Sequence, residues 1–328
     1  MIQRYAPEGG ILGTKENREA LLAPICLERA MREGRIVEGI VTRCDERMRL
    51  HVDLGCAHGI IESEDAVHCR VGEARKDIAV ISRVGKAVAC KIVGLELREG
   101  MLLARLSRKE AQRECMESYL KTLRAGDLIP AKVTHMESFG AFLDIGCGVS
   151  SLLSVDCISV SRISHPRDRL TLGMPLTVAV KSINRETERI YVTLRELLGT
   201  WEENAAPFEA GQTVTGIVRS VESYGVFVEL TPNLAGLAEV SEERAEELRA
   251  HIGERVAVYV KSVLPERMKI KLVLVDTCAT PVSAPTPLRF FTSAFRDGHA
   301  DRWQYSPAAS SKLVETVFGE GEREGSDD

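Results

Sequence analysis

The stretch from Val133 to Gly146, VTHMESFGAFLDIG, contains the pattern that decides the predicted fold. From Phe139 onward, apolar side chains alternate with others, which predicts a short β-strand with one buried face and one exposed face. The apolar residues at alternate positions from Ala141 to Ile145 fall on the buried face. Phe142 is therefore expected to be an outward-facing aromatic ring.

The two phenylalanines of this stretch predict a stacking surface. Strict alternation would place Phe139 on the opposite face from Phe142, but Gly140 lies between them and tolerates backbone conformations that other residues resist. We therefore expect a β-bulge at Gly140 that turns both rings onto one surface, beside His135. Such a surface suits unpaired nucleic-acid bases, because every base has a π-face on which a ring can stack.

The same pattern recurs nearer the C-terminus, and two aligned copies indicate an internal repeat. Residues 218–230 read VRSVESYGVFVEL, with Tyr224, Gly225 and Phe227 in the same relative places. The segments around each copy predict short strands in the same order, five strands with one long connection. A meander of this kind predicts a small closed barrel, which leaves no strand edge exposed.

A more divergent copy precedes these two. It keeps the alternating strands, but Met48 and His51 occupy the aromatic positions and Arg49 replaces the central glycine. We expect this first barrel to be structural, or to dock protein, rather than to stack bases. The predicted organisation is an N-terminal helical segment (1–33), a degenerate first barrel (34–107), a helical connector (108–125), a second barrel (126–195), a linker (196–210), a third barrel (211–276), and a Pro-rich linker with a C-terminal tail (277–328).

The segments outside the barrels contain helical and aromatic patterns. Lys15 to Arg32 predicts one helix that Pro24 can kink. The connector after the first barrel predicts a solvated helix, supported by Glu117 four residues before Lys121. The linker aromatics are expected to pack between barrels, and those of the tail to fold back on the third barrel or to bind a partner. The last residues, GEGEREGSDD, are expected to be disordered.

A loop of the second barrel, Ser161 to Arg169, is the densest basic cluster near the predicted stacking surface. Its basic side chains are Arg162, His165, Arg167 and Arg169. Arginines can fork onto phosphate oxygens, so the loop is a candidate phosphate contact. The alternative is a solvated loop whose arginines pair with Asp156 and Asp168.

Composition limits the classes of function. The chain has 328 residues, with 44% hydrophobic residues and a formal net charge of -5, which excludes a generally basic nucleic-acid coat but not local basic surfaces. Its nine cysteines form no CxxC pair, which is typical of reduced thiols in a cytoplasmic protein. No signal peptide and no apolar run long enough to span a membrane is found in the sequence.

All three copies resemble the RNA-binding domain named after ribosomal protein S1, a five-stranded OB-fold barrel. The residues that carry the resemblance are FGAF and YGVF, the third-strand segments SSLLS and AGLAEVS, and the closing strands RIYVTL and KIKLVL. The resemblance covers about residues 34–276. It implies a mainly β fold of three tandem barrels with helical connectors.

The resemblance also implies which residues meet RNA, because that family uses two aromatics, a histidine, an acidic residue and a basic residue. In the second barrel these positions hold Phe139, Phe142, Ser154, Asn184 and Arg189. In the third barrel they hold Tyr224, Phe227, Glu239, Leu264 and Lys269. The third barrel departs at two positions and is acidic overall, so we expect it to hold RNA less strongly than the second.

No enzyme is expected. The histidines and cysteines do not cluster at metal-ligand spacing, and no nucleophile or phosphate-loop motif is present, so no catalytic residue, metal or cofactor is predicted. The resemblance implies a protein of translation that binds single-stranded RNA such as mRNA, with the first barrel docking on the small ribosomal subunit. We also expect a monomer, and the cysteines indicate a cytoplasmic protein. The alternative is a protein-interaction scaffold, or an accessory factor of ribosomes or RNA degradation, whose barrels have largely ceased to bind RNA.

Overall fold

A computed structural model describes residues 5–69, 76–281, 285 and 287–319, without the side chains of 276–281. These residues form three closed five-stranded barrels and one small two-stranded sheet. The strands are β1 (Ile36–Cys44), β2 (Leu50–Asp53), β3 (His58–Ile61), β4 (Ala87–Arg98), β5 (Met101–Ser107), β6 (Leu128–Glu137), β7 (Gly140–Asp144), β8 (Ser150–Ser154), β9 (Pro175–Asn184), β10 (Arg189–Thr193), β11 (Thr213–Glu222), β12 (Gly225–Thr231), β13 (Leu234–Ala238), β14 (Glu254–Leu264), β15 (Lys269–Pro281), β16 (Arg302–Gln304) and β17 (Glu315–Val317). The helices are α1 (Lys15–Ala20), α2 (Pro24–Arg32), α3 (Asp77–Ile81), α4 (Arg108–Ser118), α5 (Trp201–Ala205) and α6 (Glu242–Leu248).

Each barrel has the same strand order, in which the third and fifth strands pair in parallel and all other neighbours pair antiparallel. Alternate residues of each strand fill the interior, as Ala141 and Leu143 do in β7 and Val226 and Val228 do in β12, all fully buried. Closure pairs every strand on both sides, so the short strands have no free edge. The predicted mainly β fold of three tandem barrels is confirmed.

The N-terminal segment contains two helices, so the prediction of one kinked helix is wrong. The helix α1 ends at Ala20, and α2 begins at Pro24. Proline lacks an N–H and has a fixed φ, which suits the first turn of a helix, where that donor would have no partner within the helix. Pro24 therefore starts the second helix instead of bending a continuous one.

The connector helix α4 is packed rather than solvated. Ala111, Cys115 and Met116 are buried in the core that the connector shares with the second barrel. Lys121 forms an ion pair with Glu188 at 3.2 Å, whereas the predicted helical pairing with Glu117 is not formed. The connector therefore joins the first two barrels as a packed element.

The chain beyond the third barrel lies against that barrel. The strand β15 continues to Pro281, into the stretch predicted as a linker. Phe295, Trp303 and Tyr305 are buried in one cluster with the third-barrel core and with Trp201 of the preceding linker. Of the predicted disordered end, all residues after Gly319 lie outside the described residues.

Candidate nucleic-acid interface

The rings of Phe139 and Phe142, the second-barrel aromatic pair, meet edge to face. Their centroids are 6.1 Å apart at an interplanar angle of 89°, and Phe139 is 54% exposed. Phe139 lies in the turn between β6 and β7, not in a strand, so strand alternation does not govern its direction. The predicted bulge at Gly140 is wrong, because the irregularity lies opposite, on β6 between Val133 and His135.

His135 extends this aromatic surface. It lies directly opposite Phe142 across the two strands, with the ring centroids 6.1 Å apart and 29° between the planes. Its Nε2 lies 2.6 Å from Oε1 of Glu137, and this contact orients the imidazole. The side chain is 60% exposed, so a base that stacks on Phe142 can also reach the histidine.

Tyr191, which was not among the residues predicted from the sequence, lies on the same face of the barrel as His135 and Phe142. Leu152 of β8 lies opposite Phe142, and Tyr191 of β10 lies opposite Leu152. Side chains at directly opposed positions share one face of a sheet, so the four side chains form a band across the barrel. In this band His135 is exposed, and Phe142, Leu152 and Tyr191 are half-buried. The signal was present in the alternation of RIYVTL, which places Tyr191 on the same face as Arg189.

The remaining second-barrel residues lie around this band. Ser154 ends β8 opposite Gly140 and is half-buried. Asn184 and Arg189 face each other where β9 turns into β10, and both are exposed. Oδ1 of Asn184 accepts a hydrogen bond from the backbone N–H of Thr187 at 2.9 Å.

The loop from Ser161 to Arg169 divides into exposed and buried cations. Arg162 and Arg167 are exposed, whereas Nδ1 of His165 accepts a hydrogen bond from the backbone N–H of Arg167 at 3.1 Å and caps a short helical turn. Arg169 is fully buried and pairs with Glu229 of the third barrel. It is therefore neither a phosphate contact nor a solvated arginine paired with Asp156 or Asp168.

The third-barrel aromatic pair, Tyr224 and Phe227, repeats the geometry of the second. The centroids are 6.3 Å apart at 87°, and Tyr224 is 60% exposed. Lys269 opens β15 opposite Leu264 and is exposed. Glu239, at the position where the family has a histidine, lies 3.7 Å from the ammonium group of Lys271.

The first barrel has two arginines in the row of positions that holds His135, Phe142 and Tyr191 in the second barrel. Arg43, His51, Ile60 and Arg105 follow one another across β1, β2, β3 and β5 at the row that holds Phe142 in the second barrel. His51 is 4% exposed, and its Nδ1 lies 2.8 Å from Nε2 of His58. Burial and then the charge of His51 lower the pKa of His58. The buried imidazole cannot present a face for stacking.

Among the described residues, no three His, Cys, Asp or Glu side chains are grouped so that they could hold a metal ion. The described helices include none with the length and apolar character needed to cross a membrane.

Comparisons with known proteins agree with the geometry. The family model for the S1 RNA binding domain matches residues 122–195 and 207–274, which contain the second barrel and most of the third. Small ribosomal subunit protein bS1 of Rhizobium meliloti is 30% identical over 203 residues, covering 59% of this chain and 36% of that protein. The same protein of Staphylococcus aureus is 30% identical over 205 residues, covering 55% and 52%. This chain thus spans about a third to a half of the length of these relatives.

Among solved structures, a multidomain protein with nucleic acid binding domains from Streptococcus pneumoniae is 15% identical, and the match covers 74% of each chain. Its TM-score of 0.22 is too low to inform the arrangement of the barrels.

Proposed function

Because the second and third barrels are S1 RNA binding domains and the chain is homologous to small ribosomal subunit protein bS1, we propose that this protein binds single-stranded RNA, including mRNA, in translation. The observation that carries the proposal is the repeated aromatic pair. Two barrels present an edge-to-face pair of rings at the same place, each with one ring more than half exposed. Exposure of a large ring is costly in water, and stacking with a base offsets that cost.

In this proposal, bases stack on the two aromatic pairs and on His135. The charges that meet phosphates are Arg162, Arg167, Arg189 and Lys269, while His165, Ser154 and Asn184 supply hydrogen bonds to the backbone or to base edges. Stacking tolerates every base, and charge contacts read no sequence. We therefore expect tight binding of single strands with little preference for sequence.

The test is the affinity of the full chain for a fluorescein-labelled oligouridylate, measured by anisotropy. Since stacking contributes ~1–3 kcal/mol per base, Phe139→Ala with Phe142→Ala should weaken binding by at least about tenfold. The matched control is Tyr259→Ala with Phe290→Ala, which removes two exposed rings outside the pairs. Unchanged affinity of the first double variant would exclude the second-barrel aromatic pair as a binding site.

A second candidate concerns the first barrel, whose exposed Arg43 and Arg105, in place of stacking rings, favour a docking role. We propose that this barrel contacts the small ribosomal subunit while the other two hold RNA, in a cytoplasmic, non-enzymatic monomer. Co-sedimentation with ribosomal subunits, with and without RNase, tests this. Loss of co-sedimentation after RNase would favour RNA contact alone, and persistence would favour docking through protein.

A further inference from the structure

The third-barrel aromatic pair opens into a groove that three parts of the chain build. The groove encloses about 680 Å³, and Tyr224 and Phe227 lie in its wall. A second wall is the loop of the second barrel at Val160 to Arg162. The third wall is the C-terminal hairpin between β16 and β17, which contributes Lys312. The groove is therefore not a property of the third barrel alone.

One buried asparagine holds these walls together. Asn233, fully buried in the turn between β12 and β13, accepts a hydrogen bond at Oδ1 from the N–H of Val160 at 2.9 Å. Its Nδ2 donates to the carbonyl oxygen of Gly199 at 2.9 Å. The hydroxyl of Tyr305 donates to the backbone oxygen of the same asparagine. A residue of the third barrel thus fixes the second-barrel loop and the tail.

The hairpin that presents Lys312 has further anchors. The N–H of Trp201 donates to the carbonyl oxygen of Tyr305 at 2.9 Å. The guanidinium of Arg195 donates to Oγ1 of Thr316 at 3.1 Å. Because both ends of the hairpin are bonded to the body of the protein, Lys312 is held at the groove rather than on a separate tail.

The charges in the groove are mostly positive. The basic side chains that line it are Arg162, Arg219, Arg267, Lys269 and Lys312, and the acidic one is Glu222. Arg219 pairs with Glu229 and Asp168, whereas the other cations are exposed and form no ion pair within the part of the chain that the structure describes. Unpaired cations beside exposed aromatic rings are the combination that binds a nucleic-acid single strand, because bases stack on the rings and phosphates meet the cations.

We propose that this groove holds one strand of RNA, with bases on Tyr224 and Phe227 and phosphates on Lys312 and Arg162, two residues outside the third barrel. The inference rests on the proposed function and adds contacts that the repeat itself does not contain. It removes one reason for the sequence-based expectation that the third barrel is the weaker site, because positive charge reaches its groove from elsewhere in the chain.

The experiment measures binding of the full chain to labelled oligouridylate across a salt series. A variant that lacks one phosphate contact with a single strand should make the negative slope of log affinity against log salt shallower by ~0.7. Near 0.1 M salt this corresponds to about fivefold weaker binding. Lys312→Gln and Arg162→Gln should each show this change. The exposed residues Lys109 and Arg32 provide matched controls, and K109Q and R32Q should leave the slope unchanged.

The outcomes separate the two proposals. If wild type binds and Tyr224→Ala with Phe227→Ala weakens it, but K312Q and R162Q match the controls, the groove is overturned, whereas single-stranded RNA binding on the aromatic pairs stands without Arg162. If wild type does not bind the oligonucleotide, both are overturned. If polyglutamate of equal charge competes as well as unlabelled RNA, the groove is a site for acidic polypeptide and the RNA inference is overturned.

Discussion

Gly140 and Gly225 begin the second strand of their barrels, between the two rings of each aromatic pair. A Cβ on Gly140 would lie 2.5 Å from the carbonyl oxygen of Leu153, and one on Gly225 would lie 2.6 Å from that of Ala238. Both oxygens belong to the neighbouring strand, and backbone cannot move aside without disrupting the strand pairing. The glycine of the motif therefore serves close approach of two strands, rather than the bulge that the sequence predicted.

At the residue scale, Gly140→Ala should destabilise the protein by about 1–3 kcal/mol, because overpacking against backbone forces the strands apart. Urea unfolding followed by circular dichroism measures the change. Gly13→Ala is the control, since a Cβ there meets nothing within 4 Å, and it should stay within about 0.5 kcal/mol of wild type. Equal stability of the two variants would contradict the steric explanation.

At the scale of elements, the loop ending at Arg169 joins the second barrel to the third. The side chains of Arg169 and Glu229 are 0% and 2% exposed, and Nε of Arg219 donates to the same carboxylate at 2.6 Å. Burial lowers the pKa of the Arg169 guanidinium, and the negative charge of Glu229 opposes that shift. Burial of a charge is costly, and the cost rises further when its partner is lost, so separation of Arg169 from Glu229 is opposed. This contact therefore fixes the second barrel against the third.

The contact between Arg169 and Glu229 predicts that substitution of the acid is more destabilising than substitution of the arginine. Glu229→Gln leaves two guanidinium groups beside a neutral amide, so it should lower the free energy of unfolding by about 3–5 kcal/mol. Arg169→Met should cost less, because Glu229 keeps Arg219 as its partner. The double variant should lose less free energy of unfolding than the two single variants lose together. A double-mutant cycle in urea measures the difference.

The control for this cycle is an exposed ion pair. Arg244 and Glu247 meet at 2.6 Å on α6, where solvent screens the charges. Glu247→Gln should change stability by less than about 1 kcal/mol. Additive effects at Arg169 and Glu229 would show that the two side chains do not act as a pair.

At the scale of the whole molecule, the N-terminal segment forms a buried bridge between the first and second barrels. Both carboxylate oxygens of Glu8 accept hydrogen bonds from Arg108, and one also accepts from the N–H of Ala89 in β4. The backbone N–H of Glu8 donates to Asp144 of β7 at 2.7 Å, and its carbonyl oxygen accepts from Lys132. One residue near the chain start therefore contacts both barrels and the helix between them.

Glu8→Ala should destabilise the assembly by about 3–5 kcal/mol, because Arg108 is left buried at 3% exposure without its carboxylate. Calorimetry should show the unfolding of the first barrel separating from that of the other two. Glu28→Ala, at an exposed residue of α2, is the control and should leave the profile unchanged. A single unshifted transition in the Glu8 variant would exclude the bridge.

The sequence by itself determined the three barrels and the outward direction of Phe142 and Phe227. Strand alternation depends on residues a few positions apart, so it predicts the strands and these two rings, whereas Phe139 and Tyr224 lie in the turns before the strands. The same local logic explains why Tyr191 could have been found.

Only the tertiary structure decided what the charges do. Arg169 lies in the densest basic loop of the sequence, yet its partner is Glu229, 60 residues away in another barrel. Lys312 lies in a tail outside the repeats, yet it lines the groove of the third barrel. Whether a cation is buried between two barrels or exposed to a ligand depends on which distant elements pack beside it. A pattern of neighbouring residues does not contain that information.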